Sequence, residues 1–88
     1  MERFCVERQL PDGRRLRYYL LESEERRLYG VGVRLGTPHR PLEREEVLFT
    51  RQKGRALRAL GLLSQHLVTP ATMLGVLDDW SGELPPEP

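Results

Sequence analysis

The 88-residue sequence predicts an α+β domain: a three- to four-stranded antiparallel β-meander with a C-terminal two-helix hairpin packed on one face. Three observations carry this. Apolar residues alternate with period two in the first part of the chain, as half-buried strands require. Pro11-Asp12-Gly13 has the chemistry of a short hairpin loop. From residue 51 the apolar spacing becomes helical, and Thr69-Pro70 restarts it once.

The first strand is expected over residues 2–9, with Phe4 and Val6 on one face and Arg3, Cys5, Glu7 and Gln9 on the other. Proline presets the turn, and Gly13 takes the left-handed position after it. That loop sets Arg8 opposite Leu16, Val6 opposite Tyr18, Phe4 opposite Leu20, Glu7 opposite Arg17 and Cys5 opposite Tyr19. The second strand, 14–22, is apolar on both faces at its far end, which suits a central position. After the polar loop Glu24-Glu25-Arg26-Arg27, a third strand over 28–36 turns Val31, Val33 and Leu35 inward and Gly30, Gly32 and Arg34 outward. A four-residue loop then places Tyr19 over Gly32 and Leu21 over Gly30, an aromatic covering a bare strand patch. Residues 36–41 form a proline-restricted loop. Residues 44–49 read as a fourth strand with a charged, edge-like half, or as an extended lead-in or first helical turn.

Thr50 is placed to cap a first helix over 51–67, with Ala56, Leu57, Leu60, Leu63 and Leu67 on its apolar face. Gly54 and Gly61 suggest close approach of another backbone, since a mid-helix glycine costs about 1 kcal/mol. Thr69 caps a second helix over 70–80 with Pro70 at its first position and Met73, Leu74, Leu77 and Trp80 inward. Ser81-Gly82 ends it. The single domain spans residues 1–82, and the tail 83–88 has nothing to bury and is expected to be disordered.

Net charge is +1, so no global electrostatic signature for nucleic acid exists. The charge is uneven: residues 1–60 hold all 14 basic and 9 acidic residues, and residues 61–88 hold 4 acidic residues and no basic one. One cysteine, an N-terminus without an apolar signal core, and no apolar run near the roughly 20 residues of a membrane span point to the cytoplasm.

Tyr29-Gly30-Val31, the stretch from Glu45 to Thr50, and Val68-Thr69-Pro70 followed by Leu74, Val76, Leu77 and Asp79 together resemble a family of small uncharacterised Firmicutes (clostridial-type) proteins, a domain of unknown function. The resemblance implies a bacterial cytoplasmic protein and carries no catalytic or binding residues.

The reactive residues Cys5, His39, His66, Asp78 and Asp79 form no Cys-x-x-Cys, His-Glu-x-x-His, phosphate loop or nucleophile elbow, so no enzyme, metal or cofactor is expected. Asp78 and Asp79 oppose the dipole at the end of the second helix and read as arginine partners, loop caps or an acidic contact. Two surfaces stand out. Arg51, Arg55, Arg58 and Leu62 fall on one helical stripe, a solvated face or a basic ridge ending in an apolar knob. On the outer sheet face, Arg15, Arg17 and Arg34 surround Tyr19 and Leu21. That face suits a protein partner or a homodimer, which makes a non-enzymatic interaction or regulatory module the leading reading. Single-stranded nucleic acid, held by aromatic stacking and arginine, is the alternative.

Overall fold

The computed structural model describes the backbone of residues 2–37 and 40–80, with side chains placed for 5–36 and 43–80. The expectations for His39, Ser81-Gly82, the tail 83–88 and the side chain of Phe4 lie outside these residues. Four strands form one antiparallel sheet in chain order: β1 (Glu2–Gln9), β2 (Arg15–Ser23), β3 (Leu28–Thr37) and β4 (Arg40–Thr50). Two helices follow, α1 (Lys53–Gln65) and α2 (Pro70–Trp80). None of the described helices is long and apolar enough to cross a membrane.

Turn chemistry sets the register. Gly13 has φ +90°, and the Leu10 amide donates to the Arg14 carbonyl at 2.8 Å. The Asp12 carboxylate accepts from the Arg14 amide (3.1 Å) and its Nε (2.6 Å), which holds the Asp12 carboxyl below its ordinary pKa. Arg8 faces Leu16, Val6 faces Tyr18, Glu7 faces Arg17 and Cys5 faces Tyr19, as the loop length requires. The register shifts by one between Glu2 and Cys5, which brings Glu2 opposite Leu21. The four-residue β2–β3 loop likewise pairs Tyr19 with Gly32 and Leu21 with Gly30.

Residues 44–49 do form a strand, and β4 is longer than the sequence suggests because the whole of β3 serves as its template. Its inward positions opposite Leu35 and Val33 are Glu43 and Glu45, charges of the kind that protect a sheet edge.

The core lies between sheet and helices. Leu16, Tyr18, Leu20, Val31, Val33 and Leu35 from the strands meet Ala56, Ala59, Leu60, Leu63, Val68 and Met73. The Tyr18 hydroxyl reaches across this layer and donates to the Val68 carbonyl at 2.8 Å, tying β2 to the connection between the helices. α1 packs mainly over β2 and β3, and α2 over β3 and β4. The helices share a face of the sheet and make little contact with each other.

Helix ends depart from expectation. Thr50 does not cap α1: it closes β4, and its hydroxyl accepts the Gln52 amide at 3.1 Å. Gln52 occupies the cap position without a side-chain bond. α1 also stops earlier, in a Schellman turn. The Val68 amide donates to the Leu63 carbonyl (3.1 Å) and the Leu67 amide to the Ser64 carbonyl (3.4 Å), with Leu67 left-handed at φ 52°. Leu67 is therefore outside the helix and 40% exposed, not on its apolar face. Ala59 and Ser64 take the buried positions instead. Gly54 and Gly61 face open space, so no backbone approaches them. Pro70 begins α2 as expected, and Met73 is buried, but Leu74 is 49% exposed. Trp80 is half-buried at the rim of the core, its ring 5.7 Å from that of His66.

Candidate interaction face

Strand alternation directs Arg15, Arg17, Tyr19 and Leu21 of β2 to the face opposite the helices, because Leu16, Tyr18 and Leu20 enter the core. The ladders extend this face into cross-strand rows. One row runs Glu7, Arg17, Arg34, Arg44, and the next runs Cys5, Tyr19, Gly32, Glu46. A third holds Leu21, Gly30 and Leu48.

The arginine row is unusual in its register. Arg17 lies directly opposite Arg34, and Arg34 directly opposite Arg44. Like charges so placed destabilise a sheet. Neighbouring side chains relieve this in part. Glu7 lies 3.6 Å from Arg17 in an exposed pair, and the Arg34 guanidinium sits 4.8 Å above the centre of the Tyr19 ring.

Tyr19 lies across Gly32 on the outer face, where the register puts it, yet it is fully buried. Gly32 lets the ring lie flat on β3, Arg34 covers it, and the hydroxyl donates to Glu46 Oε2 at 2.6 Å. This corrects the expectation of an accessible stacking aromatic: the surface is closed by its own charged neighbours. Burial, then the Glu46 carboxylate, pushes the Tyr19 phenol up to about 12, against the opposing effect of Arg34. Burial pushes Tyr18 up to about 12 as well.

Both phenols therefore hold their protons more tightly in the folded protein than in the unfolded chain, where they ionise near about 10. Their contribution to stability is complete below that pH and is lost as pH rises from about 10 towards about 12. An alkaline titration followed by phenolate absorbance should show ionisation accompanying unfolding. Tyr18→Phe and Tyr19→Phe should each flatten the loss of stability over that range. An unchanged slope in both variants would contradict the burial of these rings.

Beside Tyr19 the face becomes apolar. Leu21 and Leu48, both half-buried, flank Gly30, whose outer side is closed by the β4 backbone at Val47 and Leu48. A groove of about 570 Å³ opens there, lined also by Glu22, Ser23, Arg26, Glu46 and Val47.

The helical ridge is not formed. Arg51 is exposed in the bend before α1, close to Glu22, Glu24, Arg27 and Tyr29 of the β2–β3 end. Arg55 is half-buried and Arg58 exposed, while Leu62 packs against the core. The helix is rotated so that Ala59 is central, which draws Leu62 inward.

Arg15, Arg17, Arg34, Tyr19 and Leu21 thus come together; Arg51, Arg55, Arg58 and Leu62 do not join them. Sequence reasoning missed Arg44, Glu46 and Leu48, which complete the face. The signal was present: extending the β3 register across residues 44–49 aligns Arg44 with Arg34. Cys5 is exposed on the same face, and Asp78 and Asp79 are exposed on α2. Among the described residues no group of three or more His, Cys, Asp or Glu side chains is placed to hold a metal.

A family model described as a family of unknown function, DUF6514, matches residues 1–83. No curated protein and no solved structure matches the chain.

Proposed function

The chain belongs to the DUF6514 family, whose function is unknown, and from that premise we propose a non-enzymatic interaction module that docks a protein partner on the outer face of its sheet. The observation carrying this reading is the in-register row Arg17, Arg34, Arg44 beside the Leu21–Leu48 groove. The row works against the stability of its own sheet, and an acidic partner would relieve it. The groove supplies apolar area to bury. Arginine around an apolar centre is the composition of protein interfaces. The matching partner is an apolar segment flanked by acidic residues.

The same arginines favour a second reading, single-stranded nucleic acid. It is the weaker one, because Tyr19 is sealed and no other aromatic side chain described for this face is exposed. We place the module in the cytoplasm of a Firmicutes-type bacterium, on its lone cysteine and on the sequence resemblance.

The test compares wild type, Leu48→Asp, Arg17→Glu with Arg44→Glu, and the helix variant Arg58→Glu, each checked for folding. Arg34 is left in place so that Tyr19 stays covered. One protein from the host, bound directly by wild type and Arg58→Glu and lost by both outer-face variants, would support the reading. Binding to single-stranded homopolymers that weakens by roughly 0.7 in log K per neutralised phosphate per decade of salt would favour the second. Outer-face variants that bind every ligand as wild type does would remove both.

A further inference from the structure

The outer sheet face gathers its positive charge in one place. Arg17, Arg34 and Arg44 stand side by side on β2, β3 and β4, directly opposite one another. Adjacent strands lie about 4.8 Å apart, so the three Cα atoms fall within roughly 10 Å. Arg15 lies on the same face, one row further along β2. Arg15, Arg17 and Arg44 are exposed, and stacking on Tyr19 fixes where the Arg34 charge sits. The acidic strand side chains described for this face are Glu7 and Glu46. Four arginines therefore stand against two carboxylates, a net charge of +2.

We propose that the row Arg17, Arg34, Arg44 is a phosphate site, and that the protein partner presents a phosphorylated side chain to it. The assignment rests on protein docking at this face and adds what switches the docking on. A phosphorylated side chain carries a charge of about −1.5 to −2 at neutral pH and three acceptor oxygens. That charge matches the face, and one group offers an oxygen to each arginine of the row. A carboxylate has two oxygens and cancels about half the charge. A phosphodiester of a nucleic acid also carries a single charge, and no aromatic side chain described for this face is exposed to stack its base. Planar guanidinium forks match phosphate oxygens in pairs, which is why arginine suits the site.

The groove sets the second anchor. Leu21 and Leu48 lie four residues along their strands from Arg17 and Arg44, about 13 Å away. An extended partner segment covers that distance in four residues. A phosphorylated residue and an apolar residue four positions apart therefore reach the row and the groove together. Tyr19 and Glu46 lie between the two anchors, and the Glu46 carboxylate disfavours acid at the middle position of the segment.

The probes are short labelled peptides of serine, alanine and glycine that carry phosphoserine and leucine four positions apart, made in both orders. Serine and glutamate versions and a uridine oligonucleotide are the comparisons, and binding is read by fluorescence anisotropy. In one order the phosphopeptide should bind wild type about tenfold tighter than either comparison peptide. It should weaken as pH falls through about 6, where the phosphate takes up a proton. Exchanging its leucine for serine should weaken it too. Arg17→Gln and Arg44→Gln should each lose about tenfold in affinity, while their melting temperatures hold or rise because a like charge leaves the row. That separates a lost site from a lost fold. Arg58→Gln on α1 should bind as wild type does. A phosphopeptide that binds no better than the glutamate peptide, arginine variants that keep its affinity, or an oligonucleotide that binds more tightly than it does would each overturn the phosphate site. Docking itself is judged on the host partner: if outer-face variants lose that partner and phosphatase treatment of it changes nothing, docking stands and the phosphate site falls.

Discussion

Leu60→Ala should lower the stability of this domain by about 2–5 kcal/mol. Leu60 is 1% exposed and belongs to the continuous core formed with Leu16, Tyr18, Leu20, Val31 and Val33. Truncation removes the apolar transfer term and leaves a cavity that the sheet, held by three ladders, is slow to fill. For a domain of this size the melting temperature should drop by about 8 °C or more, and the urea midpoint should fall with an unchanged slope. Leu62→Ala is the comparison. That side chain is only half-buried, so its loss should cost less. Equal effects from the two substitutions would mean that α1 is rotated from the phase described.

Gly30→Ala should be of similar severity, about 3 kcal/mol, for a different reason. The register shift between Tyr29 and Gly30 brings the β4 backbone over the position a side chain would occupy. A Cβ there would collide with the Val47 carbonyl oxygen and come against Leu48 Cα. Backbone atoms in a ladder cannot move aside without breaking its hydrogen bonds. Gly32→Ala meets the Tyr19 ring instead, which can swing out at the loss of its Glu46 hydrogen bond and Arg34 cover. Gly30→Ala should therefore destabilise more, and amide exchange should accelerate along β3 and β4. Gly32→Ala should chiefly expose Tyr19, read as a phenol that titrates closer to its ordinary value. If Gly30→Ala were neutral, the close β3–β4 approach would be wrong.

The outer face shows where sequence reading stops. Tyr19 over Gly32 is a matter of counting from two loops of known length, and it was available from the residues alone. That Tyr19 is closed to solvent was not. Its cover comes from Arg34 on the neighbouring strand and from Glu46 on β4, whose pairing the composition of residues 40–50 left open. Leu62 makes the same point on α1. Its spacing puts it in line with Arg51, Arg55 and Arg58, but the rotation of the helix on the sheet places it against the core. Leu67 keeps helical spacing in sequence, yet it lies past the helix end because the Schellman turn uses its left-handed conformation to satisfy the carbonyls of Leu63 and Ser64.

By itself, then, the sequence determined the order of the elements, the pairing of β1 with β2 and of β2 with β3, and which residues of those strands face the helices. Each follows from local physics: strand alternation, the left-handed glycine of Pro11-Asp12-Gly13, and proline at the first turn of α2. Only the tertiary structure decided that β4 extends the sheet, that three arginines align across it, that Tyr19 is sealed, and how α1 is rotated. Those outcomes depend on which side chains from distant segments arrive at one place, and exposure belongs to that assembly of neighbours, not to any residue or its spacing.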